Sequence, residues 1–122
     1  MSVESVLQHP GIWRGRPRDI APRGEPSGYE DLDALLPGGG WPTGALTEIL
    51  VAQEGIGELR LVMPALARLS CSGRWVAWVA PPHIPYAPAL SGHGVDLGRM
   101  LLIHPRRPED ALWTVEQALR AG

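Results

Sequence analysis

The stretch at residues 47–61, TEILVAQEGIGELRL, has the outline of a phosphate-binding loop. An apolar run comes first, glycines follow at Gly55 and Gly57, and an apolar periodic segment begins after them. In a P-loop, the backbone N–H groups of this turn cradle phosphate, a lysine contacts the β- and γ-phosphates, and a Ser or Thr hydroxyl holds Mg²⁺. Here Glu58 and Leu59 take the places of the lysine and the hydroxyl, and the chain contains no lysine. We therefore predict a degenerate P-loop without a nucleotide cofactor.

Other residue types with catalytic potential lack the spacing that chemistry needs. The four histidines and the single Cys71 show no metal-ligand pattern, so we expect no metal site. Ser70 and Ser72 flank that cysteine without the glycine elbow of a nucleophilic serine. The sequence therefore predicts a protein that is not an enzyme.

Composition limits the class of protein further. The chain has 122 residues, 44% of them hydrophobic, which suits a globular domain with its own core. No apolar run is long enough to span a bilayer, and the N-terminus has no basic signal-peptide region. The lone Cys71 excludes an internal disulfide and favours a cytoplasmic location. A net charge of −2 gives no general basic field for nucleic acid, so only weak DNA contact is expected.

Residues 1–26 are predicted to form an extended N-terminal arm rich in Pro and Arg, because they show neither helical nor strand periodicity. Two interpretations remain open for this arm. It is either a solvated linker or a docking arm that touches acidic protein or DNA phosphate. An exposed tryptophan beside arginines is typical of interface hot spots. The docking candidates in the arm are Ile12, Trp13, Arg14, Arg16 and Arg18.

Residues 27–122 are predicted to form one α/β domain with a small, mostly parallel sheet flanked by helices, because strand-like and helix-like segments alternate. The predicted strands are 46–51, 75–80 and 100–104, and the predicted helices are 28–36, 58–70, 87–93 and 108–121. The last helix carries an apolar stripe of Leu112, Val115 and Leu119. Since the chain stops where another strand should follow, the domain is either truncated or completed by a partner. An open sheet edge also makes a homodimer a candidate arrangement.

Aromatic and proline-rich segments supply the remaining interaction candidates. Trp75 and Trp78 are expected in the core, whereas Trp113 faces either the core or a partner. Stiff loops that carry apolar side chains lose little entropy on docking. Trp41 in a glycine turn, and Ile84 and Tyr86 in the loop PPHIPYAP, are therefore predicted to bind a partner.

The order of segments resembles the RecA-type ATPase core. The resemblance rests on SGYEDLDALLPGGGWPTGALTEIL, WVAWVAPPH and GVDLGRMLLIHPRRPEDALWTVEQALRAG. It implies a three-layer RecA-like core. In RecA proteins the strand that corresponds to WVAWVAPPH ends in an acidic residue, which orients the attacking water. At this place the chain has Pro81, Pro82 and His83. Within the superfamily, GGGWPTGALTE and GIGELRLVMPALARL look like the ImuA/SulA-like group.

This resemblance implies a role in the SOS response to DNA damage. An ImuA-like protein would be an accessory of mutagenic translesion synthesis, with an ImuB-like protein, an error-prone DNA polymerase and RecA itself as partners. A SulA-like protein would instead bind FtsZ and inhibit cell division. Sequence favours the first role, because HPGIWRG and GGGWPTGALTE look ImuA-like.

Overall fold

A computed structural model describes residues 2–8 and 23–122 of the chain. Its helices are α1 (Val3–Leu7), α2 (Glu30–Leu35), α3 (Leu59–Cys71), α4 (Ala87–Gly92) and α5 (Pro108–Ala121), and its strands are β1 (Val76–Val79) and β2 (Met100–Ile103). The protein is thus an α/β protein with a small parallel sheet flanked by helices, as predicted. Across the described ranges, no helix has the length and hydropathy needed to cross a membrane.

The described residues form two compact units, one ending at Leu50 and the other running from Val51 to Gly122. The sequence-based prediction places the boundary earlier, at residue 26. Within the predicted arm, residues 3–7 form the short helix α1, which the Ser2 side chain caps. The arm's docking candidates, Ile12, Trp13, Arg14, Arg16 and Arg18, lie outside the described residues.

The first unit is organised around a backbone bridge between Glu25 and Trp41. Each residue donates its N–H to the carbonyl of the other, at 2.8 and 2.7 Å. Gly24 lies so close to this bridge that an added Cβ would stand 2.6 Å from the carbonyl carbon of Gly40. Ser27 is fully buried, and its N–H donates to the Asp33 carboxylate at 2.8 Å. These contacts tie the segment before α2 to the glycine turn after it.

The second unit is built on the parallel pair β1 and β2, in the register Val76↔Met100 to Val79↔Ile103. Helices α3 and α5 both contact β1. The buried core cluster consists of Met63, Leu90 and Val95, against which Leu66, Ala67, Trp78 and Met100 pack. Met63 comes from the apolar periodic segment that predicted this helix, so part of that segment packs in the core.

Two sequence-based predictions about burial and pairing are wrong. Residues 46–51 have no strand partner among the described residues, and Ile49, Leu50 and Val51 are exposed. Apolar residues favour a buried strand, but a strand also needs a neighbouring backbone to pair with. Trp75 lies just before β1 and is 53% exposed instead of being in the core. The apolar stripe of α5, for which burial was not predicted, is exposed, because this helix packs through its opposite side.

Candidate functional site

The glycine turn predicted from the sequence lies directly before α3. Gly55 and Gly57 both have left-handed backbones, with φ of 80° and 100°. Residues with a Cβ adopt such angles at a cost of about 1–2 kcal/mol, so glycine suits both positions. The two left-handed residues bend the chain so that their N–H groups converge on one point.

The point of convergence is occupied by the carboxylate of Glu58. Gly55 donates its N–H to one carboxylate oxygen at 3.2 Å, and Gly57 donates to the other at 3.1 Å. Glu58 is also the N-cap residue of α3. A negative charge at this end is favoured by the helix dipole as well as by the N–H groups. The backbone therefore holds an anion here, and that anion belongs to the chain itself.

Hydrogen bonds from backbone N–H groups also lower the pKa of the Glu58 carboxyl group. Its own backbone N–H makes the largest contribution and that of Gly55 the next, and together they hold the pKa of Glu58 below its usual value of 4.5. Donors that bind the charged form of a carboxyl group favour that form. Glu58 is therefore negatively charged at neutral pH, and it stays charged to a lower pH than an ordinary glutamate does.

A second loop meets the glycine turn at the carboxyl end of β1. The His83 imidazole Nε2 lies 3.5 Å from a carboxylate oxygen of Glu54, and both side chains are exposed. Ala80, which ends β1, has a left-handed backbone with φ of 49° and donates its N–H to Ile103 at 2.9 Å. Parallel α/β sheets bind ligands at the carboxyl ends of their strands. The glycine turn thus lies near the carboxyl end of β1, the edge at which sheets of this kind bind ligands.

The side chains at this position are unsuited to polyphosphate. The Glu58 carboxylate already accepts the N–H groups of Gly55 and Gly57, and its charge repels a second anion. Glu54 adds another negative charge to the same loop. Leu59 begins α3 where a metal-binding hydroxyl would stand. The nearest cationic residue is Arg60, in the first turn of the helix. The sequence contains no lysine that could take the role of the P-loop lysine. The arrangement can stabilise the start of α3, but it offers phosphate no free backbone donor at Gly55 or Gly57.

The described interaction candidates differ in how much side chain they present. Ile84 and Tyr86 are 77% and 71% exposed, on the loop that also carries His83. Trp41 is half-buried, and its indole nitrogen is buried without an acceptor among the described residues. Ile84 and Tyr86 therefore present larger surfaces to a partner than Trp41 does. Trp113, on α5, is exposed as well.

Two features of the site escaped the sequence analysis. Glu58 was predicted to take the place of the P-loop lysine, but its hydrogen bonds to the loop were not predicted. The signal was present, because the start of a helix favours a negative charge and the N–H groups of a glycine turn before it can bind one. Nothing in the sequence predicted the contact between His83 and Glu54, because these residues lie in loops that are far apart in the sequence.

The order of elements defines this molecule as an α/β protein with a small parallel sheet flanked by helices, which is consistent with a RecA-like core. By sequence the chain belongs to the family described as the MT3502 N-terminal domain, whose model matches residues 34–120. It is similar to the protein RecA of Acholeplasma laidlawii, with 35% identity over 100 residues, 80% of this chain and 29% of that protein.

Other RecA proteins give similar matches over the same share of the chain. RecA of Streptomyces avermitilis is 34% identical over 100 residues, which cover 80% of this chain and 26% of that protein. RecA of Thermotoga maritima is 31% identical over 97 residues, which cover 80% of this chain and 27% of that protein. The chain thus spans little more than a quarter of the length of these relatives. No solved structure matched the chain.

Proposed function

We propose that this protein is a non-catalytic, RecA-related accessory of the SOS response that acts through protein contacts in mutagenic translesion DNA synthesis. The observation that carries the proposal is the carboxylate of Glu58 on the N–H groups of Gly55 and Gly57. A RecA-type loop whose phosphate donors are filled by its own chain is suited to scaffolding and unsuited to nucleotide hydrolysis. The RecA relatives support a link to DNA damage.

The partners in this proposal are an ImuB-like protein, an error-prone DNA polymerase and RecA. Ile84 and Tyr86 form the docking surface, because both side chains are exposed on a loop stiffened by Pro81, Pro82 and Pro85. A stiff loop loses little conformational entropy when it binds a partner. The predicted arm, with Ile12 and Trp13, is a second docking element of the proposal.

Nucleotide binding tests the non-catalytic part. Isothermal titration calorimetry of the wild-type chain with Mg²⁺ and ATP should give no binding heat. A double variant with Glu58→Lys and Leu59→Thr restores the two P-loop side chains and frees the loop N–H groups. Binding by this variant alone would assign the loss of the ATP site to these two residues. Tight binding of ATP to the wild type would contradict the proposal.

Affinity capture from DNA-damaged cells tests the partner part. The tagged full-length protein should recover an ImuB-like protein together with an error-prone polymerase. Ile84→Glu with Tyr86→Glu should abolish this recovery, whereas Leu46→Glu, a change at an exposed leucine elsewhere, should not. Recovery of FtsZ in place of these proteins would favour the SulA-like alternative, a division inhibitor that blocks FtsZ polymerisation.

A further inference from the structure

Trp75 and Arg99 form a stacked pair at the amino ends of the two strands. Trp75 comes directly before β1 and Arg99 directly before β2, and the first residues of these strands, Val76 and Met100, lie opposite each other. The guanidinium carbon of Arg99 lies 5.4 Å from the centre of the Trp75 ring, and both side chains are exposed. A guanidinium group at this distance is attracted to the face of an indole ring. The stacked pair is therefore one exposed surface that is both aromatic and cationic.

Two turns hold the stacked pair in place. Gly73 follows α3 with a left-handed backbone, φ of 87°, and Arg74 donates its N–H back to the carbonyl of Leu69 at 3.0 Å. On the other side of the pair, the Asp96 carboxylate accepts the N–H of Gly98 at 2.9 Å. Both segments thus enter their strands in a defined conformation, and a surface that is already ordered loses little entropy when it binds.

The charge around the stacked pair is positive. Arg74, next to Trp75, is exposed, and neither Arg74 nor Arg99 has an ion-pair partner within the part of the chain that the structure describes. Asp96 is the acidic residue nearest to them in sequence, and its carboxylate is bonded to the turn before Arg99. The other acidic residues of the second unit either pair with Arg120, as Glu116 does, or belong to segments at the carboxyl end of the sheet: Glu54, Glu58, Glu109 and Asp110. An incoming anion therefore meets two guanidinium groups that no described carboxylate already holds.

We propose that the stacked pair and Arg74 form a docking surface for an acidic segment of a partner protein. A guanidinium group binds a carboxylate through two parallel hydrogen bonds, and Trp and Arg are the residue types that carry most energy in protein interfaces. A nucleic-acid strand suits the surface less well, because its affinity grows with the number of phosphates that are neutralised. The surface has two arginines for this purpose, in a chain of net charge −2.

This docking surface is separate from the one formed by Ile84 and Tyr86. Trp75 precedes β1, whereas the loop with Ile84 and Tyr86 follows it. The inference therefore goes beyond the proposed function, and either can fail without the other.

Fluorescence anisotropy of the full chain with labelled probes tests the class of occupant. A peptide of glutamate and glycine around a central phenylalanine should bind saturably. The matched peptide with glutamine at each glutamate should bind at least about tenfold more weakly, because it cannot form charge-assisted pairs with arginine. An oligothymidylate of equal charge should also bind more weakly than the acidic peptide. Absent binding of the acidic peptide, or equal binding of both peptides, overturns the proposal. Tighter binding of the oligothymidylate does so too, since it would make the surface a nucleic-acid site.

Substitutions test the position of the site. Arg99→Glu should raise the dissociation constant of the acidic peptide by at least about tenfold, since it removes charged hydrogen bonds and adds a repulsive charge. Arg106→Glu is the matched control. It makes the same charge change at an exposed arginine beyond the carboxyl end of β2, where solvent ions screen it, so the constant should stay within about twofold. Arg99→Lys keeps the charge but loses the planar fork, so it should weaken binding less than Arg99→Glu does.

The aromatic half of the surface has its own control. Trp75→Ala should weaken binding of the acidic peptide, whereas Trp113→Ala, at an exposed tryptophan of α5, should not. Circular dichroism checks that each variant is folded. Equal weakening by the reversals at Arg99 and Arg106 overturns the proposal, because it would show a response to net charge alone. So does a folded Trp75→Ala variant that binds the peptide as tightly as the Trp113→Ala variant does.

Discussion

Glu58 is the residue whose chemistry decides what the glycine loop can hold. A phosphate in a P-loop binds to backbone N–H groups at the start of a helix. Here the carboxylate of Glu58 makes that type of contact with Gly55 and Gly57. Glu58 thus accepts the N–H groups of the loop, carries the negative charge, and stands where a P-loop has its lysine. The bonds that occupy the loop N–H groups thus also hold the glycine turn against the first residue before α3.

Glu58→Gln should lower the stability of the protein, and the loss should depend on pH. The pKa of Glu58 is lowered in the folded state, so the unfolded chain takes up its proton first as the solution is acidified. The stabilisation by Glu58 is therefore complete above pH 4.5 and disappears as the pH falls through the lower folded pKa. Urea unfolding from neutral to acidic pH should show wild type and variant converging at low pH.

Glu54→Gln is the control for this measurement, because Glu54 lies in the same loop and contacts His83. Its loss of stability should be smaller than that of Glu58→Gln at neutral pH. A Glu58→Gln variant whose stability equals that of the wild type throughout would show that the loop amides do not need the charge.

Ala80 adopts a left-handed backbone at the end of β1, with φ of 49°. This conformation costs a residue with a Cβ about 1–2 kcal/mol, and glycine avoids the cost. Glycine also loses about 0.5–1 kcal/mol through its greater freedom in the unfolded chain. Ala80→Gly should therefore raise the free energy of unfolding by about 0.5 kcal/mol in a thermal melt. Ala77→Gly, within β1, should lower it by about 0.5–1 kcal/mol, and a loss at both positions would contradict the argument.

At the scale of elements, local signals were sufficient for helices α2 to α5, but they missed the short α1 in the predicted arm. The spacing of apolar residues predicted helices at 58–70 and 87–93, and the structure has them at Leu59–Cys71 and Ala87–Gly92. The segment at 46–51 was predicted wrongly because a strand needs a partner strand, and the composition of a segment does not reveal whether the chain supplies one. For the same reason the glycine turn was predictable, while the contact of Glu54 with His83 was not.

Pro64 lies inside α3, where it has no N–H to donate to the carbonyl one turn earlier. Pro64→Ala restores that hydrogen bond and relieves the crowding by the proline ring. We expect the free energy of unfolding to rise by about 1–3 kcal/mol in urea denaturation. Pro88→Ala is the control, because Pro88 stands in the first turn of α4, where proline is well tolerated. A variant at Pro64 that is less stable than the wild type would show that ring packing outweighs the missing bond.

At the scale of the molecule, the second unit combines a small buried cluster with one buried polar link. Met63, Leu90 and Val95 are buried together, and Ser70 nearby is only 1% exposed. The Ser70 hydroxyl donates to the carbonyl of Ala67 at 3.0 Å and accepts the N–H of Asp96 at 3.0 Å. Since the second bond spans 26 positions, it joins the end of α3 to the segment that leads into β2.

Ser70→Ala should therefore destabilise the second unit by about 1–2 kcal/mol, because the Asp96 N–H loses its acceptor in a partly buried place. Ser72→Ala removes an exposed hydroxyl that bonds only to Leu69 in its own turn, so its effect should stay within about 0.5 kcal/mol. Hydrogen exchange of the Asp96 amide gives a direct readout, since it should accelerate in the first variant alone. Equal losses in both variants, with unchanged exchange at Asp96, would show that the apolar cluster joins α3 to β2 without this link.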